Sequence, residues 1–486
     1  MRARTPYRHS LPWLVTALLV MIPAVAPAKS LLSAGSGPVD IDQELLGGIL
    51  ARSIAEFSLP VDGSEFQVKV ESVSDPNLGV TSLKGRLEGS PDSFFLLCRT
   101  ELGATVAFFQ PGNGKAYRMD SKRGRNELYP VDFSRLGPCG GGIGSGEIRK
   151  GRETEHPPPA LPSPDKTGGV SDDGSRHDIL VGYTPAAEAF MGGWDFIRAE
   201  AQLAVDAANL TYLNSGIAST LRLVHVMATD YEEISAWEYL DHVNFLWYPD
   251  DGKMDEVLVM RDRVGADFVC MLIDGREFDG SVKTCGMAPL MQPDEINHDF
   301  EDLAISVVSV QCATANWSLS HEVGHNRGCA HNREDAGVGG AYPYAHGRRF
   351  TGTDEAWYHT VMAYGFLSGE STRIPYFSDP GIFYAGFPTG VAPGLVDEAH
   401  NVLTHGNTAV VCAGFRPERT FVQFGWAEFS NGFILFPYPD LLQAMSNSRD
   451  GGTIVIQNSD PGFTGVLEDP RSFDHDGSGS AVLGGI

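Results

Sequence analysis

The chain has 486 residues, of which 42% are hydrophobic and 20% charged, with 36 Lys and Arg against 62 Asp and Glu and a net charge of −26. This apolar content excludes a wholly disordered chain, and the length predicts about three modules. The acidic surplus argues against a nucleic acid as the main partner, because phosphate binding needs clustered Lys and Arg.

The first predicted element is a cleavable export signal at residues 1–28. Its basic start, apolar run and small residues at the end are Arg2, Arg4 and Arg8, the run LVTALLVMI (14–22), and Ala26-Pro27-Ala28. The alternative is a membrane anchor, which the shortness of the run disfavours. We therefore expect a secreted protein, either extracellular, periplasmic or attached to the cell surface, with no stable membrane insertion once the signal is removed.

Residues 29–150 are predicted to form a β-rich propeptide. Alternating patterns at 65–73, 93–100 and 105–110 indicate short strands with turn residues between them. The composition then changes to a Gly- and Pro-rich stretch that cannot pack a core, so residues 151–176 are predicted to be a linker.

Strand and helix patterns alternate over residues 177–417, which predicts an α+β domain with a mixed sheet and a helix packed on it. One long helix is expected from about Ala186 to Leu213. Residues 418–486 are predicted to be a small β-containing segment that resembles the N-terminal cap of a β-helix. The chain from Asp474 onward is expected to be disordered.

The strongest chemical signal is HEVGHNRGCAH (321–331). His321 and His325 are four residues apart and share one face of a helix, Gly328 lets the chain leave the helix, and His331 can supply a third nitrogen. Three imidazoles leave a fourth position open, which indicates one catalytic zinc ion, although copper, nickel and iron are not excluded. Glu322, next to the first ligand, is predicted to be the general base.

This spacing is the signature of metzincin metallopeptidases. DILVGYTPAAEAFMGG (178–193), ANLTYLNSGI (208–217) and RIPYFSDPGIFYAGFPTG (373–390) also resemble the reprolysin-like (adamalysin-like) branch of bacterial secreted metalloproteases. The resemblance covers roughly Asp178 to Pro417. It implies a twisted mixed sheet, a zinc-site helix below it, an irregular lower subdomain and zinc endopeptidase activity.

The resemblance also implies a methionine-containing turn after the motif, and TVMAYG (360–365) fits with Met362 beneath the metal. Tyr364 either stabilises the oxyanion or binds the metal, or it is a packed aromatic. Two departures from the branch are the absence of a cysteine at 365–372 and Asn332 where an aspartate is common. The first leaves Cys329 or Cys412 without its usual partner, and the second weakens support for His331.

The seven cysteines leave at least one thiol unpaired within the chain. Cys139, in Pro138-Cys139-Gly140-Gly141, is a candidate cysteine switch whose thiolate would occupy the open position on zinc and keep a precursor latent. The alternative is a Cys98–Cys139 disulfide. For Cys285 and Cys312 we favour a bridge, although spacing alone does not establish it.

The sequence therefore predicts a latent, secreted zinc endopeptidase that acts on protein or peptide substrates as a monomer. The alternatives are a catalytically silent metzincin scaffold that binds a surface, and hydrolysis of a non-protein amide by the same site. Intact Glu322 argues against the silent scaffold. Calcium binding cannot be read, because the acidic residues form no recognised loop.

Overall fold

The computed structural model describes residues 29–112, 115–122, 125–144, 173–233, 239–249, 251–366, 371–424, 426–449, 452–457 and 464–466. The predicted signal peptide, most of the predicted linker and the predicted disordered end lie outside these residues. Among the described residues, no helix combines the length and the apolar character that crossing a membrane requires.

The N-terminal part is an eight-stranded antiparallel sheet with the order β1-β8-β7-β6-β5-β4-β3-β2. Helix α1 (Gln43–Leu50) starts at Asp42, whose carboxylate accepts a hydrogen bond from the Leu45 amide at 2.9 Å, and it packs on one face of the sheet. The strands are β1 (Gly37–Val39), β2 (Glu56–Val61), β3 (Ser64–Val73), β4 (Val80–Leu87), β5 (Phe94–Thr100), β6 (Thr105–Gln110), β7 (Tyr117–Lys122) and β8 (Arg125–Pro130).

A short segment follows, with a 3-10 turn (Phe133–Arg135) and the two-residue strand β9 (Ile143–Gly144). It leads away from the N-terminal sheet and pairs with the second half of the molecule, because β9 aligns in parallel with a strand at Pro289–Leu290.

The second half contains a mixed sheet with the order β11-β10-β12-β15-β13, in which only β13 runs antiparallel to its neighbour. The predicted mixed sheet is therefore present, and β13 lies at its edge. Its strands, with the nearby β14, are β10 (Arg176–Tyr183), β11 (Thr220–Ala228), β12 (Phe268–Ile273), β13 (Gly286–Met287), β14 (Pro289–Leu290) and β15 (Ile305–Ser309).

The prediction of one helix from Ala186 to Leu213 is wrong. The chain forms α2 (Pro185–Met191) and then α3 (Trp194–Asn214). Gly192 and Gly193 separate them with φ angles of 97° and 123°, which an L-residue rarely adopts and a helix never uses. The hydrophobic period continues across this break, which is why the pattern did not reveal it.

Further helices flank the sheet, and the chain below it is mostly irregular. The helices are α4 (Tyr239–Trp247), α5 (Asp255–Val264), α6 (Val310–Ala313), α7 (Ser318–Asn326) and α8 (Asn401–Ala413), with 3-10 turns at Pro293–Glu295 and His298–Leu303. The lower part holds only short strands, β16 (Arg349–Thr351), β17 (Trp357–His359), β18 (Thr372–Arg373), β19 (Phe383–Tyr384) and β20 (Phe387–Pro388).

The C-terminal segment forms a three-stranded sheet of β21 (Arg419–Gln423), β22 (Thr453–Gln457) and β23 (Thr464–Val466), with α9 (Leu441–Asn447) beside it. The first two strands are parallel and the last pair antiparallel. The likeness to a β-helix cap stays a prediction.

The second face of the N-terminal sheet packs against α3, so the two halves share one hydrophobic core. Phe94 and Phe108 each contact the ring of Trp317 at a centroid distance of 5.4 Å. Arg118 on β7 pairs with Glu200 on α3, and both side chains are buried.

Candidate metal centre

Helix α7 presents His321 and His325 on one face, and the chain returns to add His331. The Nε2 atom of His331 lies 3.0 Å from Nε2 of His321 and 3.1 Å from Nε2 of His325. Gly328 makes this return possible because its φ is 84° and an added Cβ would lie 2.4 Å from the Ala341 Cβ. The three histidines predicted from the motif therefore converge on one point.

The other ring nitrogens of two histidines are held by main-chain carbonyls. His321 Nδ1 donates to the Val361 carbonyl at 2.7 Å, and His325 Nδ1 donates to the Cys329 carbonyl at 2.8 Å. Because each Nδ1 atom carries the proton of its ring, both Nε2 atoms are unprotonated and present a lone pair.

Burial also keeps these imidazoles neutral. It lowers the pKa of His321 and His331 well below 6.5 and that of His325 to about 4. Three neutral imidazole nitrogens that face one another at about 3 Å form a donor set that fits a zinc ion.

Glu322 lies beside this trio with its carboxylate fully buried. Among the described residues no N–H or hydroxyl group donates to its carboxylate oxygens, and the Cys139 thiol is the hydrogen-bonding group beside them. Burial raises the pKa of Glu322 to about 8, and a bound cation would lower it. A Cβ at Gly286 on β13 would lie 2.6 Å from Glu322 Oε1, so glycine at the sheet edge makes room for this carboxylate.

Met362 packs directly beneath α7 and is completely buried. An added Cβ at Gly324, between the two helical histidines, would lie 2.5 Å from the Met362 sulfur. The turn at 360–364 also supplies the Val361 carbonyl that holds His321. The methionine thus lies against the helix that carries two of the three histidines.

Tyr364 lies beside the third histidine, with its ring 4.1 Å from that of His331. Its hydroxyl donates to the Cys139 carbonyl at 2.7 Å, and its amide donates to Asn332 Oδ1 at 3.0 Å. Asn332 thus positions Tyr364 and not His331, while its own amide group donates to Glu334 and Asp335. Burial raises the pKa of the tyrosine above its usual range.

Cys139 reaches the same place from the N-terminal half. Its sulfur, a ring nitrogen of His321 and a carboxylate oxygen of Glu322 all lie within 4.8 Å of one another. The sulfur also lies 3.4 Å from Ser318 Oγ, and burial raises the pKa of the thiol. The structure therefore brings all seven residues predicted for the site together.

Main-chain hydrogen bonds hold the segment 135–144, which we call the cleft segment, along the edge of the sheet. The bonds join Val282 N to Arg135 O, Gly137 N to Val282 O, Cys285 N to Pro138 O, Gly140 N to Gly286 O and Ile143 N to Ala288 O, at 2.6–3.2 Å. The cleft segment and the sheet-edge segment at 282–290 run in parallel.

The glycines of the cleft segment allow this close approach. A Cβ at Gly137 would lie 2.0 Å from the Lys283 carbonyl oxygen, and one at Gly140 would lie 2.5 Å from the Met287 side chain. At Gly142 it would lie 3.1 Å from the His325 ring. Glycine backbone and the Cys139 side chain therefore lie next to the histidines.

The predicted disulfide between Cys285 and Cys312 is confirmed, with a sulfur–sulfur distance of 2.03 Å. It joins the sheet edge that holds the cleft segment to helix α6. The alternative Cys98–Cys139 bridge is not formed, because Cys98 lies against Asp206 and both thiols are free. Cys329 and Cys412 are also free and buried.

Comparison with known proteins agrees with this geometry. The family model described as Metallo-peptidase family M12, of the reprolysin type, matches residues 174–378. This part of the chain is a reprolysin-like metallopeptidase domain. Proteins named peptidyl-Asp metalloendopeptidase from two strains of Stenotrophomonas maltophilia are 28% and 27% identical over 396 residues, which span 79% of this chain and 85% of each relative.

A protein of the same name from Xanthomonas campestris pv. campestris is 28% identical over 238 residues, which span 49% of this chain and 51% of that relative. The longer alignments extend beyond the metallopeptidase domain. The chain is accordingly a metalloendopeptidase, and its substrates are proteins or peptides.

Sequence reasoning missed Gly286, which gives the Glu322 carboxylate its space. A single glycine far from the motif carries no signal of its own, because only the folded sheet brings it over α7.

Proposed function

We propose that this protein is a secreted zinc endopeptidase, produced as a latent precursor, in which Glu322 is the general base and Cys139 blocks the centre. The observation that carries the proposal is the convergence of three neutral imidazoles next to a buried carboxylate that accepts no hydrogen bond from an N–H or hydroxyl group of the described residues. Most buried carboxylates with a purely structural role accept such bonds.

His321, His325 and His331 would hold the ion through their Nε2 atoms. Zinc bound in this way polarises a peptide carbonyl and makes water a stronger acid. The carbonyls of Val361 and Cys329 fix the ring orientations by accepting from the Nδ1 atoms, so two ligands are positioned before metal arrives.

Glu322 would accept the proton of the attacking water on a carboxylate oxygen. It would then deliver this proton to the nitrogen of the departing amine. Its burial under Gly286 supports this role, because burial raises the pKa of the carboxylate and lets it hold a proton, and the Cys139 thiol that hydrogen-bonds to it would leave with the cleft segment.

Tyr364 would donate its hydroxyl hydrogen to the oxygen of the tetrahedral intermediate. In the precursor this hydroxyl already donates to a main-chain carbonyl, that of Cys139. A substrate carbonyl could take the same place once the cleft segment has left, and Asn332 keeps the tyrosine backbone in position.

Latency would come from the cleft segment, which places the Cys139 thiol within reach of a metal at His321. A thiolate is a strong ligand for zinc and would occupy the position needed by water. Cutting the chain between 145 and 172, followed by departure of the N-terminal part, would open the centre. The predicted signal at 1–28 places these events after export.

The relatives are named for peptidyl-Asp substrates, and we propose that this protein also acts on peptides that carry an aspartate next to the scissile bond. The same centre would hydrolyse the bond whatever the flanking side chain, so this preference must arise from residues outside the metal ligands.

Casein cleavage by the protein cut in its linker tests the proposal. We expect about one zinc per chain, loss of cleavage with a zinc chelator, and loss of cleavage in Glu322→Gln at unchanged zinc content. Glu188→Gln, on α2 and away from the centre, is the matched control and should cleave normally. Stoichiometric zinc with no cleavage of any peptide would contradict the proposal and favour a silent scaffold.

A further inference from the structure

Arg373 lies next to the metal centre but is not one of its candidate ligands. Its Nη1 donates to the Asn316 carbonyl at 2.9 Å, and its Nη2 donates to the Ala363 carbonyl at 3.4 Å. Asn316 lies two residues before the start of α7, and Ala363 directly follows the buried Met362 of the turn. The guanidinium is thus fixed between the two segments that build the centre.

The charge of Arg373 is unmatched. Its Nε is buried without a hydrogen-bond partner, and it forms no ion pair with a carboxylate among the described residues. Arg349, which also bonds the turn through the Gly365 carbonyl, differs because it pairs with Glu334 and Asp335 at 3.3 and 3.0 Å.

The positive charge of Arg373 acts on three titratable residues of the centre. It opposes the effect of burial on the pKa of Glu322, of Cys139 and of Tyr364. An anionic group entering the cleft beside these residues would therefore meet a fixed guanidinium whose Nε–H and remaining Nη–H groups are still available.

We propose that Arg373 is a specificity-determining residue that binds the side-chain carboxylate of an acidic residue next to the scissile bond. The inference rests on the proposed peptidase function and gives that function a substrate class. A guanidinium and a carboxylate match in geometry and form charge-assisted hydrogen bonds, and two carbonyls already hold this guanidinium in place. An amide or an alkyl group in the same place would leave its charge unmatched.

The test uses the full chain after processing in its linker and two fluorogenic peptides that differ only by Asp or Asn beside the scissile bond. We expect the wild type to favour the Asp peptide. Arg373→Gln should lower the ratio of kcat/KM for Asp over Asn by about 10- to 100-fold, the range for a hydrogen bond to a charged group. Arg373→Lys keeps the charge without the fork and should retain part of the ratio.

Arg349→Gln is the matched control, because it removes a neighbouring arginine whose charge is already paired. It should leave the ratio unchanged. If Arg373→Gln slows both peptides in equal proportion, the residue only ties the turn to the chain before α7, and the inference is overturned. If the wild type cleaves both peptides equally well, the inference fails while the peptidase function stands. Cleavage of neither peptide overturns both.

A binding measurement covers the case in which Arg373→Gln unfolds or loses all activity. Fluorescence anisotropy of the two labelled peptides is measured on processed Glu322→Gln protein, with and without Arg373→Lys as the second change. We expect tighter binding of the Asp peptide in Glu322→Gln and a reduced difference in the double variant. Equal affinity for the two peptides in Glu322→Gln would overturn the inference.

Discussion

Glu322 on α7 and Glu200 on α3 are both glutamates with 0% exposure, yet their surroundings are opposite. Glu200 accepts hydrogen bonds from both terminal nitrogens of Arg118 and from the Thr314 hydroxyl at 2.7 Å. Glu322 accepts none from an N–H or hydroxyl group of the described residues, and its neighbouring donor is the weakly donating thiol of Cys139. One cluster joins the N-terminal sheet to the metallopeptidase domain, and the other lies at the metal centre.

The difference in hydrogen bonding distinguishes a carboxylate that stabilises the fold from one that is placed for a reaction. A buried charge that is paired on every side contributes to holding two parts of the chain together, and removing its partner is costly. A buried carboxylate without partners costs stability and persists only where a ligand or a reaction supplies what is missing. The two sites should therefore differ in how much stability the same substitution costs.

The largest effect is expected from Glu200→Gln. This change removes the buried Glu200–Arg118 ion pair and leaves Arg118 paired with Asp120 alone among the described carboxylates, so it should lower the free energy of unfolding of the full chain by about 3–5 kcal/mol. Urea denaturation measures it, with Glu322→Gln as the matched Glu-to-Gln control, for which we expect a change within about 1 kcal/mol. Equal losses in the two variants would contradict the distinction drawn here.

A double variant sharpens this first prediction. In Glu200→Leu with Arg118→Met both charges of the pair are removed, and stability should recover part of the loss, because Arg118 is no longer a buried charge without Glu200 although Asp120 loses its arginine. Failure to recover would mean that packing around Glu200, and not the charge, determines stability.

Zinc should stabilise the histidine cluster by a similar amount. At about 1,000 times its Kd, zinc is expected to raise the free energy of unfolding by about 4 kcal/mol, because it binds only the folded centre. Thermal unfolding with and without a chelator measures the gain, which should vanish in His325→Ala. In Glu200→Gln the gain should be retained in full, and its loss there would show that the two clusters are coupled.

The histidine cluster could be predicted because its signal is local. Spacing along one helix and one turn fixes His321, His325 and His331, and the methionine turn follows a short distance later. Glu200 and Arg118 gave no such signal, since they are separated by 82 positions in the sequence and meet only when the sheet packs on α3. Arg373 was missed for the same reason, because its position depends on two distant carbonyls.

Replacement of Cys139 by Ser tests the connection between the two halves at the centre. The main-chain bonds of the cleft segment remain, but a hydroxyl binds zinc more weakly than a thiolate. We expect the uncut chain to gain about 10- to 100-fold in peptide hydrolysis, equivalent to about 1.4–2.8 kcal/mol. Cys98→Ser, a buried thiol of the N-terminal sheet, should stay latent. Full latency of Cys139→Ser would mean that the backbone alone blocks the centre.

The smallest effect concerns His225 on β11, a buried side chain whose Nδ1 has no hydrogen-bond partner among the described residues. Burial and the charge of Arg263 lower its pKa from 6.5 to about 4. The unfolded chain therefore takes up a proton first, and stability falls as the pH drops below 6.5.

Between pH 8 and pH 5.5 this one residue should cost about 1.4 kcal/mol. Urea denaturation at both pH values, compared between the wild type and His225→Phe at equal zinc, isolates its share, since the other histidines titrate in both proteins. An identical pH dependence in the two proteins would show that His225 is already protonated or exposed.

The strand content of the N-terminal half was also predictable, because alternation at 65–73 and 105–110 corresponds to β3 and β6. The break between α2 and α3 was not, because the apolar period continues across Gly192 and Gly193. Periodicity reports which faces are buried, whereas backbone reversals at paired glycines depend on φ angles that periodicity does not encode.

The near absence of side chains in Gly140-Gly141-Gly142 has a consequence for how such a protein can diverge. Backbone bonds to the sheet edge and one sulfur hold this stretch, so it makes no use of a pocket that reads a substrate's side chain. In the proposed precursor, a mutation that alters substrate preference without changing the charge near Cys139 would leave these main-chain bonds intact. New preferences could then arise during evolution while the proposed latency is kept.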